Sequence, residues 1–222
     1  YRLYFDLGYG IYEEKLTDHP NAVKYLSSAI KLKHDRWVRR ALYRCYQYNG
    51  QYDQALEGWR LYLDKFGDTQ GEVASRFVVY NEAFILERDA KRADQRAEAA
   101  ERIAERAQPR GDAAAVAEYT KAAEEARAES AQLYAKAIET WSKLGPDDTT
   151  ALSRRLHVEA IELAKQKRYV EAIAKLDNAR YESGTFWDEA SQMIVDIKKE
   201  AGEPLTKSER DWQDRLREAA EY

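Results

Sequence analysis

An all-α array of helical hairpins is what this sequence predicts, and three observations predict it. The first is composition: among 222 residues there are only 4 Pro and 10 Gly, while Ala, Glu, Lys and Arg abound. That mixture favours helices. The second is repetition. Asn49-Gly50-Gln51-Tyr52-Asp53-Gln54-Ala55-Leu56-Glu57 and Gln166-Lys167-Arg168-Tyr169-Val170-Glu171-Ala172-Ile173-Ala174 share a Tyr-x-x-Ala-[Leu/Ile] skeleton. Each reads as the turn and second helix of a hairpin, and hairpins at a fixed period make a solenoid of about five such units. A solenoid presents a surface rather than an enclosed active site. The third is a pair of alanine seams in residues 85–137, taken up below.

The elements follow in order. Of the 26 aromatic residues, 14 lie before position 70. Tyr4, Leu7, Ile11 and Tyr12 recur at helical spacing with Gly8 on the same side, and a polar break at Thr17-Asp18-His19-Pro20 ends that helix. Pro20 suits a first turn, where its missing N–H would have no partner. Ala22, Tyr25, Leu26, Ala29 and Ile30 form the second stripe. The next hairpin joins Leu42, Cys45 and Tyr46, through Asn49-Gly50, to Tyr52, Ala55, Leu56, Trp59, Tyr62 and Leu63.

On these residues the chain resembles the tetratricopeptide repeat family, a 34-residue helix–turn–helix unit. Its Trp-x2-Leu-Gly-x2-Tyr opening appears as Tyr4-x2-Leu7-Gly8-x2-Ile11. Its Ala-x3-Phe run appears as Ala22-x3-Leu26, Ala55-x3-Trp59 and Ala172-x3-Leu176. Small residues at Gly8, Ala22, Ala55 and Ala172 allow helices to pack about 8–10 Å apart. The sequence departs from the family at Tyr43, where a small residue is usual, and lacks the helix-ending Pro. The resemblance implies a right-handed solenoid of about five hairpins. Residues 1–70 hold hairpins 1 and 2, 71–147 hairpin 3, 148–184 hairpin 4, and 185–222 a closing hairpin with a C-terminal capping helix.

Hairpin 3 is the unusual one. Leu86, Ala90, Ala93, Ala97, Ala100, Ala104 and Ala107 step by three and four, as do Ala113, Val116, Tyr119, Ala123, Ala126, Ser130, Leu133 and Ala137. Each is a heptad seam. Pairing Ala107 with Ala113, Ala97 with Ala123 and Ala83 with Ala137 keeps a constant sum, the rule of an antiparallel hairpin. Pro109 and Gly111 supply its turn and Asp112 its cap. The expectation is an Ala-rich antiparallel coiled coil over residues 87–132, projecting roughly 30 Å beyond its neighbours.

The closing segment follows the Gly145-Pro146-Asp147-Asp148 break. Leu152 to Lys165 and Tyr169 to Arg180 form hairpin 4. The next helix begins near Thr185, with Phe186, Ala190, Met193, Ile194 and Ile197 on one face. After Gly202-Glu203-Pro204, the run Thr206-Lys207-Ser208-Glu209 is a capping box. It opens a helix carrying Trp212, Leu216 and Ala219 against Arg210, Asp214, Arg217 and Glu218.

Composition also excludes functions. Lys and Arg number 36 against 40 Asp and Glu, a net charge of -4, which argues against a general nucleic-acid binder. The single Cys45 forms no internal disulfide and reads as a small core residue. No apolar run approaches the roughly 20 residues needed to cross a bilayer. The chain opens at Tyr1 in mid-pattern, which leads us to expect a mature or trimmed chain, cytoplasmic or periplasmic. His19, His34 and His157 stand apart and read as surface or rim histidines. Glu13-Glu14 reads as ordinary helix-surface charge. No cofactor, metal or catalysis is expected.

The resemblance implies a concave groove lined by the first helices of successive hairpins. Carried over, it gives Arg2, Phe5 and Tyr9, then Trp37, Arg40 and Arg44, then Arg76 and Tyr80. Aromatics and arginines often dominate binding surfaces, and Arg grips a carboxylate through two hydrogen bonds. The expected partner is therefore a protein or peptide with acidic character, bound by an adaptor within a larger assembly. The family's clamp for a terminal carboxylate is missing, because Phe5, Tyr9 and Ala41 stand where its Lys and Asn residues would. A self-associating scaffold, forming homo-oligomers through the projecting hairpin or a terminal helix, is the second reading, and an RNA-binding helical repeat a minor third.

Overall fold

The computed structural model describes residues 1–33, 35–68, 73–182 and 187–220. His34, Thr185 and Phe186 lie outside them, as do the side chains of Leu216, Arg217, Glu218 and Ala219. Among the described residues the chain is all-helical. The helices are α1 (Arg2–Phe5), α2 (His19–Leu32), α3 (Arg36–Tyr48), α4 (Tyr52–Phe66) and α5 (Ala74–Ala107). They continue with α6 (Ala113–Ser142), α7 (Thr149–Lys165), α8 (Tyr169–Glu182), α9 (Trp187–Ala201) and α10 (Lys207–Ala220). None of them is long and apolar enough to cross a membrane. The chain divides into two compact units, Tyr1–Asp89 and Ala90–Tyr222.

Side-chain caps set the starts of α2, α3, α6, α7 and α10. The carboxylates of Asp18, Asp35, Asp112 and Asp148 accept hydrogen bonds from the N–H groups of Asn21, Trp37, Ala115 and Ala151 at 2.8–3.2 Å. These N–H groups would otherwise be orphaned in the first turn. The capping box of α10 is complete: Thr206 N–H donates to Glu209 at 2.7 Å, and Glu209 N–H donates to Thr206 Oγ1 at 3.3 Å. Between α5 and α6 a single 3₁₀ turn, Gln108–Arg110, ends on Gly111 at φ 71°, a left-handed conformation that favours glycine.

The first unit departs from sequence expectation at its start. Residues Asp6–Glu13 form a π-helix rather than continuing the α-helix of α1. Wider i→i+5 turns change which side chains share a face. Tyr4 and Ile11, expected on the buried stripe, are 38% and 40% exposed. Tyr12 packs against the core as expected, and Tyr1, Phe5 and Tyr9 join it there. Gly8 keeps its expected place: a Cβ there would come within 2.8 Å of Leu26 Cγ.

The core of this unit is Ala22, Leu26, Ala29, Val38, Ala41, Leu42, Tyr43, Cys45, Ala55, Trp59, Tyr62 and Ala74. Tyr43, where the resemblance leads one to expect a small residue, fits because a glycine faces it. Gly58 on α4 faces it, and a Cβ at Gly58 would lie 2.3 Å from the Tyr43 ring. Trp59 then meets Tyr43 edge-on at 5.8 Å and stacks on Phe77 at 4.4 Å. Buried Asn81 ties α5 to α3 by donating to Gln47 at 3.0 Å.

In the second unit, α5 and α6 bury residues of both seams: Ala90, Ala93, Ala97, Ala100 and Ala107 on one, Ala123, Ala126, Ser130 and Ala137 on the other. Ion pairs Arg96–Glu129 at 2.6 Å and Arg127–Glu101 at 2.5 Å cross between these helices. Near the turn Ala113 is exposed, so apolar contact thins there. Ser130 interrupts the alanines for a reason the sequence did not disclose. Its hydroxyl accepts from Lys165 Nζ at 3.0 Å, and Lys165 also bonds Asp94 and lies 4.3 Å over the Tyr134 ring.

Further along, Ala160, Ala172, Leu176, Ala190, Ile194 and Ile197 form the core of α7, α8 and α9. Ser153 donates to the Ala179 carbonyl at 2.9 Å, bonding α7 to α8. Helix α10 docks on α9 through Trp212, whose indole N–H donates to Asp188 at 3.2 Å, and through Lys198–Glu209 at 2.7 Å.

Candidate functional site

Positions 37, 40, 41 and 44 of α3 fall on one face, because residues three and four apart are helix neighbours. That face meets the π-helical segment. Phe5, Tyr9, Trp37, Arg40, Ala41 and Arg44 together line a cleft of 160 Å³. Phe5 and Tyr9 stack at 5.5 Å with 10° between their planes. Trp37 is 52% exposed, and the guanidinium groups of Arg36 and Arg40 lie 4.9 and 5.6 Å from its ring. Arg44 donates to the Tyr48 hydroxyl at 3.2 Å. Large rings and guanidinium groups thus share a small concave surface.

Five of the eight residues named from sequence come together here. The other three do not line the cleft. Arg2 has a side chain 92% exposed and pairs with Asp6 at 3.7 Å. Arg76 donates to the Tyr80 hydroxyl at 2.8 Å and lies 5.1 Å from its ring. Tyr80 itself is buried and packs edge-on against Phe77 at 5.9 Å.

Tyr9 and Arg44 also line a second, wider depression of 400 Å³, with Glu13, Glu14, Thr17, His19 and Tyr48. The His19 ring lies 5.0 Å from that of Tyr48. A hydrogen bond to Glu14 pushes the Tyr9 phenol up from its ordinary pKa. Burial raises Glu13 above the usual carboxylate range, against the opposing pull of a Cys45 hydrogen bond and of Arg44 and Arg40. Burial, with Glu13 beside it, also pushes the Cys45 thiol far up, so it stays protonated and unreactive. The sequence reads Glu13-Glu14 as ordinary helix-surface charge and gives no sign of Tyr48. Glu14 is exposed as expected, but Glu13 is partly buried beside Cys45 at the end of the π-helical segment. That segment leaves no simple periodicity in the sequence.

A larger depression, 490 Å³, lies between α5 and α6, lined by Glu101, Ala104, Glu105, Gln108, Val116, Thr120, Ala123, Glu124 and Arg127. It is walled by alanines and helix-surface charges, with no aromatic ring, and the Arg127–Glu101 pair lies across it. It has little to grip with.

One expectation is corrected in the second unit. His157 is not a surface or rim residue: it is 5% exposed, with Nε2 3.6 Å from Glu189 on α9. The next turn of α7 brings Arg154, which donates to the same carboxylate at 2.6 Å. Burial and the Arg154 charge lower the pKa of His157 to about 4, although Glu189 opposes them. Burial pushes Glu189 up, yet Arg154 and His157 together hold it below the usual range. The triplet is a polar tie between α7 and α9, with Arg154 and His157 buried and the Glu189 side chain 51% exposed.

Compared with known proteins, the chain matches no family model and no curated protein.

Proposed function

We propose that this chain is a tetratricopeptide-like helical repeat, its third hairpin elongated into an Ala-rich coiled coil, that acts as a protein-interaction adaptor. Its binding surface is the cleft of the first unit, and its ligand is a peptide segment with acidic character. One observation carries the reading: Phe5, Tyr9, Trp37, Arg40 and Arg44 converge on one cleft from three elements. Rings give contact area at low entropic cost, and guanidinium groups give charge-assisted bonds to carboxylates.

The test is selection of a displayed random-peptide library on the intact chain. Wild-type protein should enrich peptides rich in acidic and aromatic residues. The Arg40→Glu, Arg44→Glu double variant should lose those peptides while its helicity and melting temperature stay near wild type. Trp37→Ala, at an exposed position, should weaken them without altering the fold. Capture that survives all three substitutions would place the binding site elsewhere.

A second reading, self-association, draws on Leu3 of α1, which is 67% exposed. Sedimentation that changes with protein concentration would favour it, and a monomer at all concentrations would exclude it.

A further inference from the structure

The depression beside the cleft has the opposite chemistry. Glu13 and Glu14 line it against one guanidinium, that of Arg44, and a histidine. Among the described residues, Glu13 Oε2 is buried without a hydrogen-bond partner, as is His19 Nδ1. A buried carboxylate oxygen without a donor is held at a free-energy cost that an incoming N–H group relieves. Tyr9 and Tyr48 add aromatic rings to the lining, and the Tyr48 ring already draws the Arg44 guanidinium to 5.8 Å from its centroid. The 400 Å³ volume admits a long side chain.

We propose that this depression receives a basic side chain of the bound peptide, a lysine ammonium or an arginine guanidinium, set against Glu13 and Glu14. The groove is then bipolar. Arg40 and Arg44 hold an acidic residue at one end, and the two glutamates hold a basic one at the other. Tyr9 and Arg44 belong to both depressions and fix the spacing between the two charges. This rests on the peptide-binding reading above and adds a charge order to it. The ligand is not merely acidic but carries both signs in a fixed direction. Specificity of this kind also excludes peptides of the reversed polarity, which would set like charges against each other.

Peptides enriched from the displayed library supply the probes. They should carry Lys or Arg at a constant offset from the acidic position. In fluorescence anisotropy, replacing that basic residue with norleucine should weaken binding to the wild-type chain about tenfold, the worth of one charge-assisted hydrogen bond. The same replacement should cost less in Glu13→Gln or Glu14→Gln chains, each of which lacks one of the two partner charges, and almost nothing in the double variant. Glu14 is exposed, so its variant keeps the test valid if Glu13→Gln disturbs the packing around Cys45. Enrichment of acidic and aromatic residues with no basic position would overturn this inference and leave the cleft reading standing. A norleucine loss equal in wild type and all three variants would also overturn it. Enrichment of no peptide at all would overturn both readings.

Discussion

Gly58 and Tyr43 show how one pair of residues sets the spacing of two helices. Gly58→Ala would raise helix propensity, yet the added Cβ would sit 2.3 Å from a Tyr43 ring that is buried and braced by Trp59. Overpacking of this kind destabilises by about 1–3 kcal/mol. We expect Gly58→Ala to lower the urea midpoint, and to do so much less in a Tyr43→Ala background, since residues in contact are not additive. Additive effects would mean the two helices do not meet there. His157 gives a prediction about pH. The folded protein resists protonating this ring, while the unfolded chain takes up a proton near 6.5, so the unfolded state binds more protons below that value. Its contribution is complete above pH 6.5 and is lost as the pH falls toward 4. It amounts to about 3 kcal/mol for a group this buried. Arg154 and Glu189 face the ring, and Lys91 acts on Glu189. His157→Gln should flatten the dependence of unfolding free energy on pH between 6.5 and 4. An unchanged slope would show that the acid sensitivity lies with other groups.

At the scale of elements, helices were legible because their punctuation is local. Asp112 caps where the sequence placed a cap, Asp18 caps within the polar break read there, and the Thr206–Glu209 box closes as its spacing requires. The π-helical segment Asp6–Glu13 was not legible, since Tyr4, Leu7, Ile11 and Tyr12 fit an α-helical stripe. Tertiary packing of Gly8 on Leu26 and of Tyr12 on Tyr25, at 5.1 Å, accompanies a different register. Glu13 lies in this segment and Glu14 directly follows it, so the acidic side of the second depression was hidden with it. His157 was misplaced for another reason: Glu189 lies 32 positions away, and no local pattern joins them. The last helix offers a direct check. Trp212 is 9% exposed and bonded to Asp188, so Trp212→Ala should cost about 3 kcal/mol. Hydrogen exchange in α9 should accelerate with it. An unaltered melting curve would mean that α10 contributes nothing to the fold.

For the whole molecule, the proposed function places binding at a surface of the first unit. Its buried polar groups, Asn81, Ser130, Ser153 and Arg154, bond one helix to another. Most of its aromatic rings lie in the first unit, where those of Phe5, Tyr9 and Trp37 meet the guanidinium groups of Arg40 and Arg44 in one cleft, while the alanine seams of α5 and α6 offer little to hold a ligand. The central claim is therefore that binding belongs to the aromatic cleft. Chemical-shift mapping with a library-selected peptide tests it most directly. We predict perturbation of the Trp37 indole and of the amides of Phe5, Tyr9, Ala41 and Arg44, with residues 91–129 unmoved. Shifts confined to residues 91–129, with the Trp37 indole unchanged, would contradict the account.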